Sequence, residues 1–214
     1  MIQLTNQEQL LIDKALIEKC NFKNFEDVKL EVLDHITLEI EAEMHQNATD
    51  FKTAFIKIMT KWNPLILSRN WSRYENVPYI VCKLWKSLDL KYQYSIIPIA
   101  ALITLFLSKL TVSNTLYIIL PFVLIGTITN TFLIYKKLKN KHKTTLSSYA
   151  LHKIEILTAM NIFVYFLTLN FAKDTTGVML PLLWLLVYST FATCSKALIM
   201  HKNVKIENQL LKLV

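Results

Sequence analysis

Four apolar runs, Tyr94–Leu110, Thr115–Tyr135, Ile154–Phe171 and Val178–Met200, constrain this chain more than any other feature, and none holds an Asp, Glu, Arg or His at mid-run. Hydrocarbon offers no water to backbone groups, so a segment of about 20 apolar residues crossing a ~30 Å core must close its hydrogen bonds internally, as helix. The expected fold class is all-α, a small N-terminal cytoplasmic helical bundle followed by four transmembrane helices. The expected division is residues 1–64 as the helical module, 65–92 as an amphipathic juxtamembrane helix, 93–200 as the spans and 201–214 as a cytoplasmic tail.

Charge separates the two halves and orients them. Residues 1–91 hold 13 acids against 12 Lys/Arg, whereas the rest hold 3 against 12, so the net +8 belongs to the membrane half. Between the second and third runs lie Lys136, Lys137, Lys139, Lys141 and Lys143 with no acid among them. Short basic loops stay on the cytoplasmic side, which predicts a multi-pass inner-membrane protein with both termini inside. The basic residues point to contact with the anionic inner leaflet and not to nucleic acid. No basic region followed by an apolar core opens the chain, so no secretory signal is expected. Three isolated cysteines, Cys20, Cys82 and Cys194, form no C-x-x-C, which favours a reducing compartment over a disulfide framework or zinc site.

The N-terminal segment reads as three helices. Thr5-Asn-Gln-Glu8 fits a capping box for the first. Asn24 is the expected cap of the second, Phe25 to about His45, whose apolar stripe is Val28, Val32, Ile36, Ile40 and Met44. The third carries Phe51, Ala54, Phe55, Ile58, Met59 and Trp62 and is expected to stop at Asn63-Pro64. About 60 residues bury only a modest core, so the bundle is expected to lean on the membrane, the following segment or another copy. In that following segment Trp71, Lys83, Trp85, Lys86 and Lys91 suit the headgroup layer, where apolar bodies carry polar or charged tips. A soluble helix capping the bundle is the alternative.

One constellation offers chemistry. The second helix carries Glu31, Asp34, His35, Glu39, Glu41 and Glu43, and the spacing of four places Glu31, His35 and Glu39 along one face. Three readings follow, in order of preference: a hydrogen-bonded structural histidine, a partner-binding acidic face, and a metal- or proton-sensing row at Glu31, His35 and Glu39. Metal sites on helices usually need ligands from a second helix, and no other segment supplies a matching motif, so no metal or cofactor is expected.

The residues Glu31-Val-Leu-Asp34-His35, Ile40-Glu41-x-x-Met44, Phe51-x-x-Ala54-Phe55 and Trp62 resemble a pattern in small uncharacterised membrane proteins of flavobacteria and their relatives. More distantly, the arrangement is similar to the helical domains placed before spans in the HAAS signalling and permease-prefix families. The likeness covers residues 5–65. Where that pattern has Gly in the turn after the Met, this chain has Asn47-Ala48. The resemblance implies a membrane-tethered cytoplasmic helical module of regulatory kind and carries over no catalytic residue.

The spans hold only neutral polar groups at depth, whereas ion-coupled transporters commonly bury charge there. Asn130 and Asn161 are expected to meet across spans two and three. No Walker A, G-x-S-x-G or H-E-x-x-H is present, and no enzyme is expected. The favoured function is a non-catalytic regulatory or interaction subunit, bound to a protein partner or a second copy. A transport- or permease-associated component acting as an oligomer, and a pH- or metal-responsive sensor, are the alternatives.

Overall fold

A computed structural model describes residues 3–71, 74–109, 116–139, 144–171 and 179–210, with side chains apart from those of 69–71 and 204–210. The helices are α1 (Asn6–Glu18), α2 (Glu26–Asn47), α3 (Phe51–Ile66), α4 (Tyr79–Leu88), α5 (Ser95–Ser108), α6 (Leu116–Lys139), α7 (Thr145–Leu151), α8 (Ile154–Asn170) and α9 (Met179–Leu210). A 3₁₀ turn, Phe22–Asn24, precedes α2, a π-helical stretch, Asp89–Tyr94, precedes α5, and strands β1 (Ser68–Trp71) and β2 (Tyr74–Pro78) form an antiparallel pair. The chain divides into two units. The first gathers Met1–Lys86, His142–Ser148 and Ile206–Val214, and the second Ser87–Lys141 and Tyr149–Lys205.

In the first unit α1 starts with the capping box that its spacing predicts: Glu8 N–H donates to Thr5 Oγ1 while Thr5 N–H donates to Glu8 Oε2. Its buried residues are Ile12 and Leu16. Val28, Val32, Ile36 and Ile40 form the buried stripe of α2, one residue per turn. The start of α2 differs from expectation. Asn24 lies in the 3₁₀ turn, and Phe25 occupies the cap with no side-chain hydrogen bond. Burial of the Phe25 ring against Trp85, centroids 5.8 Å apart, fixes that residue in place of a polar cap.

At the other end of α2, Ala48 adopts φ 48°, in the left-handed region. A side chain there costs on the order of 1 kcal/mol, which is why helices so often end on glycine. Ala48→Gly is expected to stabilise the first unit by about 0.5 kcal/mol, the relief being partly offset by the extra freedom of glycine in the unfolded chain. A thermal midpoint that falls would show that the turn carries no such strain.

Two boundaries differ from those that the sequence predicts. Helix α3 does not stop at Asn63-Pro64 but runs two residues further to Ile66, which is fully buried. Within the last turn the missing Pro64 N–H forfeits a single bond, and burial of Ile66 offsets it. Residues 65–92 are not one amphipathic helix. Pro78 pushes Val77 towards extended backbone, and the β pair forms instead, with an irregularity between Arg69 and Trp71. Asn21 and Asn76 both take positive φ, tolerable for asparagine, and the Asn21 amide donates to the Asn76 carbonyl. Thus the bundle leans on the segment that follows: Tyr74, Val77, Val81 and Trp85 are all buried.

The second unit contains most of the apolar helix. Four helical stretches are long and apolar enough to cross a membrane, Tyr79–Ser108, Leu116–Lys139, Thr145–Asn170 and Met179–Asn203, as in a multi-pass membrane protein. The last is the most enclosed, with 56% of its apolar window buried against 17–28% for the others. It packs Leu183 and Leu186 with Ile119 of α6 and Tyr165 of α8, and Val187 with Ile96 and Ala100 of α5. The π-helical stretch has a local cause. Pro98 has no N–H for the Tyr94 carbonyl, and its ring crowds that carbonyl, so the preceding turn widens.

Candidate interaction site

The acidic helix splits into residues used inside the first unit and residues left outside. Glu39 Oε2 accepts from Lys61 Nζ at 2.8 Å and from the Trp62 indole N–H at 3.2 Å, both on α3. Glu43 Oε1 accepts from Lys57 Nζ at 2.7 Å and from Asn47 Nδ2 at 2.8 Å. Glu41 Oε1 accepts the Leu4 N–H at 2.9 Å, which ties the start of the chain to α2. Three acids expected on a partner face therefore join α2 to its neighbours. Glu31, Asp34 and His35 are exposed, although the His35 ring stacks on Trp62 with centroids 6.3 Å apart. Among the described residues no three His, Cys, Asp or Glu converge as metal ligands, and in the row Glu31, His35 and Glu39 the last is occupied by Lys61 and Trp62.

These bonds give the unit a pH dependence. The Lys61 hydrogen bond, helped by Trp62, holds the Glu39 carboxyl below the ordinary glutamate value of 4.5, and Lys57 does the same for Glu43. A carboxyl depressed in the folded state contributes stability above its unfolded value and loses it as pH falls through the folded one. The melting midpoint of the first unit is therefore expected to drop from about pH 5 downward, and less steeply in Glu39→Gln. Parallel profiles for the two proteins would exclude Glu39 as a source. Because the carboxylates are solvent-accessible, the drop is modest.

A second site joins distant parts of the sequence. Asp27, in the first turn of α2, accepts through Oδ1 from Thr145 N–H at 2.8 Å and Thr145 Oγ1 at 2.9 Å. The Ser148 hydroxyl donates to the Asn24 carbonyl at 2.7 Å, and the Trp85 indole N–H donates to the Thr145 carbonyl at 3.2 Å. Within the segment, Thr144 and Ser147 cap one another reciprocally, each backbone N–H donating to the other's hydroxyl, and both are fully buried. Sequence reading missed this set. Its only local signals were an acid in the first turn of α2 and the Thr144-Thr-Leu-Ser-Ser148 string after the lysines, neither of which names the other.

The expected membrane-interface residues fare differently. Trp85 is 2% exposed, between Phe25 and Tyr74, so it belongs to the core of the first unit and not to a headgroup layer. Trp71 falls on β1. Lys83, Lys86 and Lys91 are exposed, Lys83 over the Tyr79 ring and Lys91 over that of Tyr92. Lys136 and Lys139 lie over Phe132 and Tyr135, and Lys137 pairs with Glu155. Lys141 and Lys143 lie outside the described residues.

In the second unit Asn130 and Asn161 come together. Asn130 Oδ1 accepts from Asn161 Nδ2 at 3.3 Å and Thr158 Oγ1 at 3.2 Å, and its Nδ2 donates to the Gly126 carbonyl at 2.8 Å. Both polar atoms of the Asn130 amide thus find a protein partner, the oxygen across to α8 and the nitrogen within α6, as an apolar surround demands. Near it, the buried Tyr165 hydroxyl rests against Gly126 beside the Thr190 hydroxyl and makes no well-formed hydrogen bond among the described residues.

Compared with known proteins, the chain matches no family model, no curated protein and no solved structure.

Proposed function

We propose that this multi-pass membrane protein is a non-catalytic regulatory or interaction subunit, with its N-terminal unit and both termini in the cytoplasm of a bacterial cell. The observation that carries the reading is the outer face of α2. Leu30 and Leu38 are 43% and 49% exposed, and Asp34 stands between them at four-residue spacing. Glu31 and His35 flank that stripe. Two leucines rimmed by acids fit an amphipathic helical segment bearing Lys or Arg, by apolar burial and charge complementarity. The basic loop between spans two and three supports the topology, and its lysines suit anionic lipid. The resemblance to the flavobacterial module agrees with a regulatory rather than catalytic role.

The test is affinity purification of the full chain in mild detergent beside a variant combining Leu30→Ser, Leu38→Ser, Glu31→Ala and Asp34→Ala. A defined protein retained by the first and lost by the second is the expected result. Equal recovery of every bound protein, together with solute flux in proteoliposomes, would replace this reading with that of a transport component.

A further inference from the structure

We propose that Lys91, Tyr92 and Lys202 form a binding site for the headgroup of one anionic phospholipid. The site lies where the π-helical stretch before α5 meets α9 at the end of its membrane-length part. The inference rests on the membrane placement of these helices and is separate from any partner at α2.

Two parts of the second unit, far apart in the chain, build the site. Lys202 Nζ donates to the Tyr92 hydroxyl at 3.2 Å across 110 positions of sequence, and lies 5.7 Å from the centre of that ring. Lys91 Nζ lies 5.8 Å from the same centre. Both lysines are exposed, and among the described residues no carboxylate pairs with either. Asp89, the nearest acid along the chain, is buried and accepts from the Tyr149 hydroxyl at 2.7 Å. Two cations are thus gathered at one ring without a counter-ion among the described residues. The ring face offsets part of their repulsion, and an anion from outside would remove the rest.

Other lysines of the second unit are used differently. Lys136 and Lys139 each lie over a ring four residues back on α6, Lys137 pairs with Glu155, and Lys196 Nζ donates to the His152 carbonyl. At Tyr92, by contrast, lysines of two separate elements converge. The Tyr92 oxygen accepts from Lys202, which leaves its own proton to donate beside the ammonium groups to a phosphate oxygen. Tyr94, three residues after Lys91, and Leu198, four residues before Lys202, are exposed about one turn deeper into the apolar stretches. Cationic donors above exposed apolar side chains match a phosphate joined to acyl chains better than a free anion.

Native mass spectrometry of the full chain, released from mild detergent with added phosphatidylglycerol or phosphatidylcholine, tests this. Wild type should retain phosphatidylglycerol in preference to phosphatidylcholine. Retention should fall about fivefold for each lysine replaced in Lys91→Gln and Lys202→Gln. Lys136→Gln with Lys139→Gln removes the same charge as the double variant and should leave retention unchanged. Wild-type retention in Lys91→Gln with Lys202→Gln would overturn the proposal. So would an equal loss in the control pair, since net charge and not this site would then attract the lipid. Displacement of the lipid by an equal concentration of glycerol 3-phosphate would also overturn it, in favour of a free phosphate. None of these outcomes depends on which side of the bilayer holds the termini, so failure of the site is distinguishable from failure of the topology.

Discussion

Trp85→Ala is expected to destabilise the first unit by about 3–5 kcal/mol, the usual cost of deleting a large aromatic from a packed core. The indole is 2% exposed, meets Phe25 and Tyr74 edge-on with centroids 5.8 and 5.1 Å away, and donates to Thr145. Removing it opens a cavity between Phe25, Tyr74 and α4, and takes away the indole donor to the Thr145 carbonyl. Cys20 and Cys82 report on this unit, being 1% and 3% exposed. Burial also pushes the Cys20 thiol up, which slows its reaction further. Thiol labelling on heating, in a Cys194→Ala background, should therefore begin at a much lower temperature in Trp85→Ala. Trp85→Phe keeps most of the packing and loses the hydrogen bond, so its shift should be nearer 1 kcal/mol. An unchanged labelling curve for Trp85→Ala would return the residue to the headgroup layer that its neighbouring lysines suggest.

Gly126→Ala should have the next largest effect, a loss of about 2–3 kcal/mol in the second unit. A Cβ at this position would overlap the Tyr165 hydroxyl and lie 2.8 Å from the ring carbon that bears it. The better helix propensity of alanine offsets about 1 kcal/mol at most. Moving the ring would disturb a cluster in which Tyr165 packs with Ile119, Leu183 and Leu186. Tyr165→Phe separates the causes. Its hydroxyl lies beside that of Thr190 and makes no well-formed hydrogen bond among the described residues, so removing it should change the melting midpoint by no more than about 1 kcal/mol's worth of stability. In the double variant part of the Gly126→Ala loss should return, since the hydroxyl overlap disappears while the 2.8 Å approach to the ring remains. Additive losses in that cycle would exclude the close approach as the mechanism.

Periodicity and capping were legible in the residues themselves. The stripe Val28, Val32, Ile36 and Ile40, the Thr5–Glu8 box and the four apolar helices each depend on residues within a few turns of one another. Asn130 and Asn161 were legible for a different reason: in an apolar surround a primary amide has few possible partners, and the two lie at matching depth. The candidate site was read only in part. Sequence spacing places Glu39 and Glu43 on the same helix as Glu31 and Asp34, but it is the position of α3 that turns the first two inward to Lys61 and Lys57.

By itself, then, the sequence determined a predominantly helical chain with four membrane-length helices, a helical N-terminal segment and an acidic second helix, because hydrophobic pattern and charge act over short distances along the chain. The tertiary structure alone decided that Trp85 is core, that Ser68–Trp71 and Tyr74–Pro78 pair as strands, that Gly126 lies beneath Tyr165 and that Asp27 holds Thr145. Each of those outcomes depends on which surfaces meet after the chain has folded back over tens to more than a hundred residues. A local pattern specifies that a polar group or ring must find a partner; the folded chain selects which partner it finds.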